Sequence, residues 1–283
     1  MIGLDYHSNQ LFNTSDTYKL SLIFSEDNFL YTIASLSTGK IIAVKEYDKL
    51  DNGYLNSTVQ LDELFGKENL FDERIIEVNS AIVIKDYSLV PAKLFDKKTK
   101  QSILEAVSIK AYLDDYTVLH SFLDNIEAVN IFAFPAVLYK FLNSHYDNNN
   151  YYHANDPLIT VAPQLLAKDS FLLANFNDGF LQTVLYKEKK FIQSNVYSIK
   201  SKEDILYRIL NLLNNNAMPV NIANVFLSGR LEKDSAIFEL LYRHIKNITF
   251  VKDIPRYHFA NVFLGKPVHL FFDLYALNSS SNK

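Results

Sequence analysis

The 283-residue chain contains no cysteine and no tryptophan, and seven of its residues are glycine. The absence of cysteine excludes disulfides, zinc–thiolate sites, iron–sulfur clusters and cysteine nucleophiles. The glycines, which make up roughly 7% of ordinary chains, are so scattered here that no two lie within five residues of each other. Glycine-rich phosphate loops, dinucleotide-binding fingerprints and the Gly-x-Ser-x-Gly elbow are therefore absent.

Charge and hydropathy are those of a globular chain without a general basic surface. The composition is 48% hydrophobic and 21% charged, and a net charge of −4 argues against non-specific binding to nucleic acid or anionic lipid. The first ten residues lack the features of a signal peptide. The longest apolar stretch, residues 129–142, is interrupted by polar residues and is too short to span a bilayer. We expect a cytoplasmic protein without membrane insertion and without a nucleic-acid partner.

Residues 19–46 are predicted to form an antiparallel meander of three strands. The first two runs, residues 19–25 and 28–35, are separated by the polar pair Glu26-Asp27, which suits a tight turn. The third run, residues 40–46, follows Ser-Thr-Gly at 37–39, which is again typical turn chemistry.

The rest of the first half alternates between helical and strand-like segments. Helical spacing covers residues 55–68, with Ser57 as the N-cap. Pro91 and Pro135 each suit the first turn of a helix, and the second leads into residues 136–146. Strand-like runs occupy residues 74–78, 81–86, 119–123 and 128–134.

The second half repeats this order. Three strand-like runs are joined by Asn-Asp-Gly at 177–179 and Lys-Glu-Lys at 187–189. An amphipathic helix over residues 201–214 follows, with Ser201 as the N-cap. The three strands are residues 171–176, 180–186 and 190–197, and a strand, a helix and a strand then follow at 222–227, 234–245 and 248–251.

Both halves thus show three meander strands, a helix, a strand, a helix and a strand. This order predicts an α/β protein in which each half has a mixed sheet flanked by helices. The asparagine-rich residues 146–156 form either a loop or a weak edge strand, and they mark a boundary between domains at 1–155 and 156–283. We expect a cleft between two such halves, which is where ligands usually bind.

The duplicated order resembles the actin-like ATPase superfamily, whose halves are ribonuclease H-like. The sequence also resembles a bacterial family of unknown function with that fold. Four segments carry the resemblance: KLSLIFSEDNFLYTIAS at 19–35, SLVPAKLFD at 88–96, VFLSGRLEKDS at 225–235 and HLFFDLYAL at 269–277. The resemblance implies two actin-like halves and a cytoplasmic role, and it implies no particular activity.

The same resemblance locates the superfamily's nucleotide loops. The first phosphate loop corresponds to residues 25–28, where Asp27 is present but the usual glycine is not. The second corresponds to the hairpin with Asp178 and Gly179, after which Phe180 and Leu181 replace the usual second glycine and Thr or Ser.

The superfamily's adenosine turn corresponds to Ser228, Gly229 and Arg230, which keep one glycine of the usual two or more. With all three loops altered, we expect tight ATP binding and hydrolysis to be lost, because hydrolysis needs a placed carboxylate, a metal and an aligned water.

Each of these positions also has a structural interpretation. Asp178-Gly179 is either a residual phosphate contact or a hairpin turn, since Asn-Asp-Gly between strands is a strong turn signal. Residues 228–230 either cradle an anion, with Arg230 as charge partner, or connect a strand to a helix. Glu26 and Asp27 either hold a metal or form a solvated turn.

Other residues invite comparable alternatives. His145 and His153 match no zinc pattern and are expected to be an exposed pair. The lysines at 97, 98 and 100 and at 187, 189 and 190 are expected to be solvated. Tyr151 and Tyr152 either anchor a protein interface, with at least one ring accessible, or pack against the body of the protein. Residues 270–275 are either a sticky surface or a buried element.

The leading functional hypothesis is a non-catalytic actin-like scaffold or assembly factor that binds an unknown protein partner, with a homodimer left open. The alternative is a weak nucleotide-binding protein or slow ATPase that uses ATP and Mg²⁺ in the cleft. In that case the binding residues are Asp27, Asp178, Gly179, Ser228, Gly229 and Arg230. A sugar or metabolite kinase ranks third, since no segment offers both a catalytic base and a glycine-lined cleft.

Overall fold

The computed structural model describes residues 4–7, 12–51, 53–108, 114–177, 179–252, 254 and 258–280. The chain divides after Asp156 into two units, here called the N-terminal and C-terminal units. Two segments near the end of the chain, residues 258–265 and 277–280, belong to the N-terminal unit, and residues 266–276 belong to the C-terminal unit.

The described residues form 14 strands and seven helices. The strands are β1 (Asp5–His7), β2 (Tyr18–Phe24), β3 (Phe29–Ser35), β4 (Ile41–Tyr47), β5 (Ile75–Ile82), β6 (Tyr87–Pro91), β7 (Tyr116–Leu123), β8 (Ala128–Pro135), β9 (Asn149–His153), β10 (Phe171–Asn177), β11 (Phe180–Lys187), β12 (Lys190–Ser198), β13 (Asn224–Gly229) and β14 (Asn247–Phe250). The helices are α1 (Thr58–Lys67), α2 (Lys100–Val107), α3 (Ala136–His145), α4 (Asn155–Leu165), α5 (Lys202–Asn215), α6 (Ala236–His244) and α7 (Phe272–Ser279).

The main sheet of the N-terminal unit has six strands in the order β1-β4-β3-β2-β5-β9. Strands β2, β3 and β4 form the predicted antiparallel meander, and the pairing of Phe24 with Phe29 leaves Glu26 and Asp27 in the turn. Strands β5 and β9 both continue the sheet in the parallel sense from β2. The mixed sheet predicted for this half is therefore confirmed.

Strand β5 covers most of residues 74–86, which the sequence pattern predicts as two separate strands. The polar residues at its centre account for this difference. Asn79 and Ser80 look like a break, yet both are fully buried inside the strand. Ser80 Oγ donates to Asn149 Oδ1 at 3.0 Å, and Asn150 Nδ2 donates to Asn79 Oδ1 at 3.1 Å. The asparagine-rich segment is thus the edge strand β9, held to β5 by side-chain as well as backbone hydrogen bonds.

A separate three-stranded antiparallel sheet, in the order β6-β8-β7, is inserted into the N-terminal unit, and α2 packs against all three of its strands. The helix expected at Pro91 is a single 3₁₀ turn at Ala92–Leu94, with Pro91 as its N-cap and as the last residue of β6. The α-helix of this region, α2, begins only at Lys100. The Phe95 amide donates to the Ala92 carbonyl at 3.3 Å and closes this turn, while the Ala92 amide donates to the Glu127 carbonyl at 2.8 Å and ties the segment to the β7–β8 connection.

The C-terminal unit has one five-stranded sheet in the order β12-β11-β10-β13-β14. Strands β10, β11 and β12 are the predicted meander, and β13 and β14 extend it in parallel. Helices α5 and α6 are capped by Ser201 and Ser235, whose hydroxyl oxygens accept from the Asp204 and Phe238 amides. Capping by serine satisfies amide groups that the first helical turn leaves unpaired.

Aromatic residues fill much of the core of the N-terminal unit. Phe29 stacks on Phe24, Tyr47 and Phe65, with ring centroids 5.1, 6.4 and 5.5 Å apart. The apolar run at 270–275 is also interior: its residues lie in a 3₁₀ turn and the start of α7, and the most exposed of them, Tyr275, is 8% exposed. The interpretation of this run as a sticky surface is therefore wrong.

We predict that Asn79→Ala lowers the free energy of unfolding by about 2 kcal/mol, measured by urea denaturation. The Asn79 amide donates to the Leu277 and Ser280 carbonyls at 2.8 and 2.9 Å, and removing it leaves polar groups without partners. The exposed Asn148 is the matched control, and Asn148→Ala should change the same quantity by less than about 0.5 kcal/mol. Equal effects of the two substitutions would contradict the assigned role of Asn79.

Candidate functional site

The β10–β11 turn is the position of the second phosphate loop. Asp178 lies outside the described residues. Gly179 has φ of +70°, and a Cβ added there would meet no atom within 4 Å. Its carbonyl accepts from the Ile199 amide at 2.8 Å, which ties the turn to the residue after β12. Phe180 is 7% exposed, so the residue that replaces the superfamily's second glycine belongs to the interior.

A buried network of polar side chains links the ends of β10, β11 and β13. Asn175 Nδ2 donates to Gln182 Oε1 at 3.1 Å, and Asn177 Nδ2 donates to the same oxygen. Ser228 Oγ donates to Asn175 Oδ1 at 2.7 Å. Buried polar groups need such partners, and here Ser228 finds its partner within the sheet.

Gly229, at the end of β13, is required by backbone packing. It has φ of +78°, and a Cβ there would lie 2.1 Å from the Phe176 carbonyl oxygen and 2.8 Å from the Phe176 nitrogen. The next amide, that of Arg230, donates to the same Phe176 carbonyl at 2.7 Å. A glycine that is needed for close strand contact explains the position without a ligand.

Arg230 forms a buried ion pair. Its Nη1 lies 2.8 Å from Asp273 Oδ1 and 2.9 Å from the Leu270 carbonyl oxygen. The two charged side chains are 1% and 3% exposed. The Asp273 carboxylate also accepts from the Leu274 amide at 2.8 Å, at the start of α7. The positive charge that the sequence offers as an anion partner is therefore balanced inside the fold.

We predict that Asp273→Ala lowers the free energy of unfolding by about 3–5 kcal/mol, because it leaves the buried Arg230 guanidinium without its counter-charge. The double variant Arg230→Met with Asp273→Leu should recover most of that loss, since two apolar side chains remove both charges. Urea denaturation measures both.

The control for this pair is Asp169, which faces Lys189 at 3.6 Å with both side chains more than 70% exposed. Asp169→Ala should change the free energy of unfolding by less than about 1 kcal/mol. A loss at Asp273 no larger than the loss at Asp169 would show that the buried pair is not formed in solution.

A cavity of about 480 Å³ lies where these elements meet, between the ends of β10 and β13 and the start of α6. Among the described residues that line it, the charged ones are Arg230, whose charge Asp273 balances, and Glu232. Most of the other lining side chains are apolar, a set that suits an apolar group better than a polyphosphate. The other described lining residues are Phe176, Asn177, Gly179, Ile199, Leu231, Ser235, Ala236 and Ile237.

The β2–β3 turn, at the position of the first phosphate loop, is closed by a buried tyrosine. Tyr54 Oη donates to the Ser25 and Asn28 carbonyls at 3.0 and 2.7 Å. The Asp27 carbonyl accepts from the Leu50 amide at 2.8 Å. Asp27 is half-buried and Glu26 is exposed. Within the described ranges, no three His, Asp or Glu side chains are grouped so as to hold a metal ion.

A second charged cluster centres on Glu68. Its carboxylate accepts from Tyr31 Oη at 2.6 Å, from Lys45 Nζ at 3.0 Å and from Tyr47 Oη. Burial raises the pKa of Glu68, but these hydrogen bonds outweigh it and leave the pKa below its usual value. The sequence gives no sign of this cluster, because its members are up to 37 residues apart.

A buried polar cluster at the end of the N-terminal unit has no signature in the sequence. The Asp156 carboxylate accepts from Ser121 Oγ at 2.5 Å, from Asn130 Nδ2 at 2.6 Å and from the His153 amide at 2.9 Å. Each of these four residues is at most 3% exposed. Burial raises the pKa of Asp156 to about 6, and the hydrogen bonds oppose that shift.

The presence of serine, histidine and aspartate does not make this cluster a catalytic triad. A triad needs a serine hydroxyl that bonds to the imidazole, whereas Ser121 bonds to Asp156. His153 Nε2 donates to the Ile84 carbonyl at 2.8 Å, and Nδ1 accepts from the Asn155 amide at 3.2 Å. The Tyr87 ring stacks on the imidazole at 4.1 Å. The expectation of an exposed His153 is wrong, and its neutral ring is a structural part of the fold.

We predict that His153 makes the protein acid-labile. Burial lowers its pKa from 6.5 to about 4, so the folded state resists protonation that the unfolded state accepts. The stability contributed by the neutral ring is therefore lost as the pH falls from 6.5 to about 4, by roughly 1.4 kcal/mol per pH unit. Free energies of unfolding measured across this range should fall more steeply for the wild type than for His153→Gln.

Asp156 changes the free energy of unfolding in the opposite direction as the pH falls. Its pKa is raised in the folded state, so protonation of this carboxylate favours the fold. It is present in both proteins, so the difference between them isolates the histidine. Parallel pH profiles for the wild type and His153→Gln would contradict the prediction.

The remaining candidates from the sequence lie apart from these clusters. His145 Nε2 is 3.7 Å from Asp62 Oδ1, and its ring stacks on Phe71 at 4.3 Å. Tyr152 is 5% exposed, and Tyr151 is half-buried, with its ring 5.1 Å from that of Phe134. An interface at these tyrosines stays a prediction, and it now concerns Tyr151.

The sequence matches a known protein family. A family model described as protein of unknown function (DUF3822) matches residues 7–248, which is well over half of the chain. The chain belongs to the DUF3822 family. No curated protein sequence shows significant similarity to it.

Solved structures confirm the actin-like fold of this DUF3822 protein. A Bacteroides thetaiotaomicron VPI-5482 protein with an actin-like ATPase fold and unknown function matches with a TM-score of 0.75 and 19% identity, covering 94% of this chain and 97% of that one. A chain of the PilM-PilN type IV pilus biogenesis complex matches with a TM-score of 0.59 and 13% identity, covering 92% and 97%. In the described part of the DUF3822 chain, every helix falls short of the length and apolarity that crossing a bilayer requires.

Proposed function

We propose that this DUF3822 protein is a non-catalytic actin-fold scaffold or assembly factor that acts by binding another protein. The observation that carries the proposal is the buried pair of Arg230 and Asp273. Polyphosphate binding needs positive charge and free amide groups at the ligand. Here the guanidinium is 2.8 Å from a carboxylate, and the Arg230 amide donates to the Phe176 carbonyl.

The composition of the cavity supports the same proposal. Phe176, Ile199, Leu231 and Ile237 give it an apolar wall, and Glu232 adds a negative charge that repels phosphate. An apolar or cationic side chain of a partner protein fits this lining better than a nucleotide. Ser228 and Asn175 hydrogen bond to each other, so the polar groups beside the cavity stabilise the sheet.

A protein partner is also compatible with the known range of this fold. The similar chain in the PilM-PilN structure comes from a complex, and at 13% identity the likeness extends to the fold alone. The proposal includes a cytoplasmic location, with which the absence of cysteine is compatible. Sedimentation velocity, which measures the oligomeric state, tests whether the partner is a second copy of the chain.

Thermal melts with Mg²⁺-ATP and Mg²⁺-ADP test the proposal. Occupancy at about 100 times Kd would stabilise a nucleotide site by about 2.7 kcal/mol, a shift of several degrees. We expect no shift with either nucleotide and no ATP turnover above background, because Arg230, the one cation among the described lining residues, is paired with Asp273.

The alternative, a weak nucleotide-binding protein or slow ATPase that uses Asp27, Asp178, Gly179, Ser228, Gly229 and Arg230 with Mg²⁺, makes the opposite prediction. A melt shifted by Mg²⁺-ATP, or turnover that disappears in Asp178→Ala, would overturn the scaffold proposal. Asp169→Ala is the control, since it removes a carboxylate from an exposed ion pair elsewhere in the same unit.

A further inference from the structure

An exposed aromatic surface lies on the inserted three-stranded sheet. Side chains alternate along β7: Ser121 and Leu123 are buried, whereas Phe122 between them is 60% exposed. The Phe95 ring, from the segment after β6, lies 6.1 Å from Phe122 and 5.0 Å from His120. We call Leu94, Phe95, His120 and Phe122 the Phe122 patch.

The Phe122 patch exposes apolar side chains to water. Leu94 is 75% exposed although it adjoins the half-buried Phe95. The His120 and Phe122 rings are 5.6 Å apart, edge to face. Clustered exposed apolar side chains, in contrast to isolated ones, mark interaction sites. Aromatic residues presented on a sheet are effective anchors because few rotations are lost when they bind.

One border of the patch is basic. Residues 93–100 contain four lysines and one aspartate in a chain whose net charge is −4. Lys97 and Lys98 are exposed, and no described carboxylate lies within ion-pair distance of either. The charges of Lys100 and Lys97 act on His120: after burial, they are the causes that lower its pKa. Lys100 Nζ donates to the Val118 carbonyl, two residues from His120. Lys97 is close enough to act on the His120 ring, and Lys98 adjoins Lys97 in the chain.

The exposed residues Asp124 and Glu127 lie in the β7–β8 connection, which follows Phe122 in the chain. The Glu127 carbonyl accepts from the Ala92 amide at 2.8 Å, so charges of both signs adjoin the patch. A ligand that matches it needs carboxylates near Lys97 and Lys98 and an apolar side chain at the centre. A uniformly anionic surface would meet repulsion from Asp124 and Glu127 as well as from the net charge of the chain.

We propose that the Phe122 patch is the docking site for a short acidic segment of a partner protein, one that places an aromatic or aliphatic side chain against Phe95 and Phe122 and carboxylates beside Lys97 and Lys98. This names a surface and a partner chemistry for the proposed scaffold. The patch lies in the N-terminal unit, so its test does not depend on the outcome with Mg²⁺-ATP.

The probe is a short fluorescent peptide with one phenylalanine flanked by aspartates and glutamates. Two comparison peptides replace the acids with asparagine and glutamine, or the phenylalanine with serine. Fluorescence anisotropy should show saturable binding of the probe with Kd below about 1 mM. The affinity should fall as salt rises from about 0.1 M to about 1 M, because screening weakens the lysine contacts. Both comparison peptides should bind at least about tenfold more weakly.

The variants are Phe122→Ser and the pair Lys97→Glu with Lys98→Glu. Each should weaken binding of the probe by about tenfold or more while leaving the melting temperature unchanged, since all three side chains are exposed. The matched controls are Tyr207→Ser, at a tyrosine that is 61% exposed, and Lys202→Glu on α5. Neither control should change the affinity.

Absence of saturable binding, or equal losses in the control variants, would overturn the proposal. Binding to phosphatidylcholine vesicles with phosphatidylserine that Phe122→Ser abolishes would also overturn it, in favour of a lipid surface. A dimer that dissociates in Phe122→Ser would overturn it in favour of self-association. In each of these cases the scaffold proposal would still be tested separately, by the thermal melts with Mg²⁺-ATP and Mg²⁺-ADP.

Discussion

Polar side chains buried in a sheet are costly without hydrogen-bond partners, and in both units neighbouring strands supply such partners. In the N-terminal unit, Asn79 and Ser80 on β5 bond to the asparagines of β9. In the C-terminal unit, Asn175 on β10 bonds to Gln182 and Ser228. An unpaired amide would cost about 1–3 kcal/mol at each site. The register of these strand pairs is therefore specified by side-chain hydrogen bonds as well as by apolar packing.

Local signals predicted the parts of the fold that local chemistry determines. Asn-Asp-Gly and Glu-Asp located hairpins, and Ser57, Ser201 and their capping partners located helices. Strand β9 was ambiguous because its asparagines show no apolar alternation, and its partners lie about 70 residues away in the chain. The separate sheet of β6, β7 and β8 escaped notice because a strand's sequence does not state which strand it pairs with.

At the candidate site, too, local signals were readable in the sequence and long-range contacts were not. Resemblance to the actin-like superfamily located the turns at Gly179 and Gly229, but it did not indicate what those residues contact. Arg230 was a reasonable anion partner until the structure placed Asp273, 43 residues later, against it. His153 looked exposed in a polar segment, yet it is completely buried. Burial and charge pairing depend on residues that are far apart in the chain, so they cannot be predicted from a single sequence without its fold.

The ion pair of Arg230 and Asp273 has an evolutionary consequence. A single substitution that removed Asp273 and freed Arg230 for an anion would leave a buried, uncompensated cation in the protein, which is strongly destabilising. A single substitution at Arg230 would strand the carboxylate in the same way. A lineage with this pair could acquire an anion site here only by changing two positions together, or after gaining stability elsewhere. The pair therefore opposes the evolution of an anion site at this position of the chain.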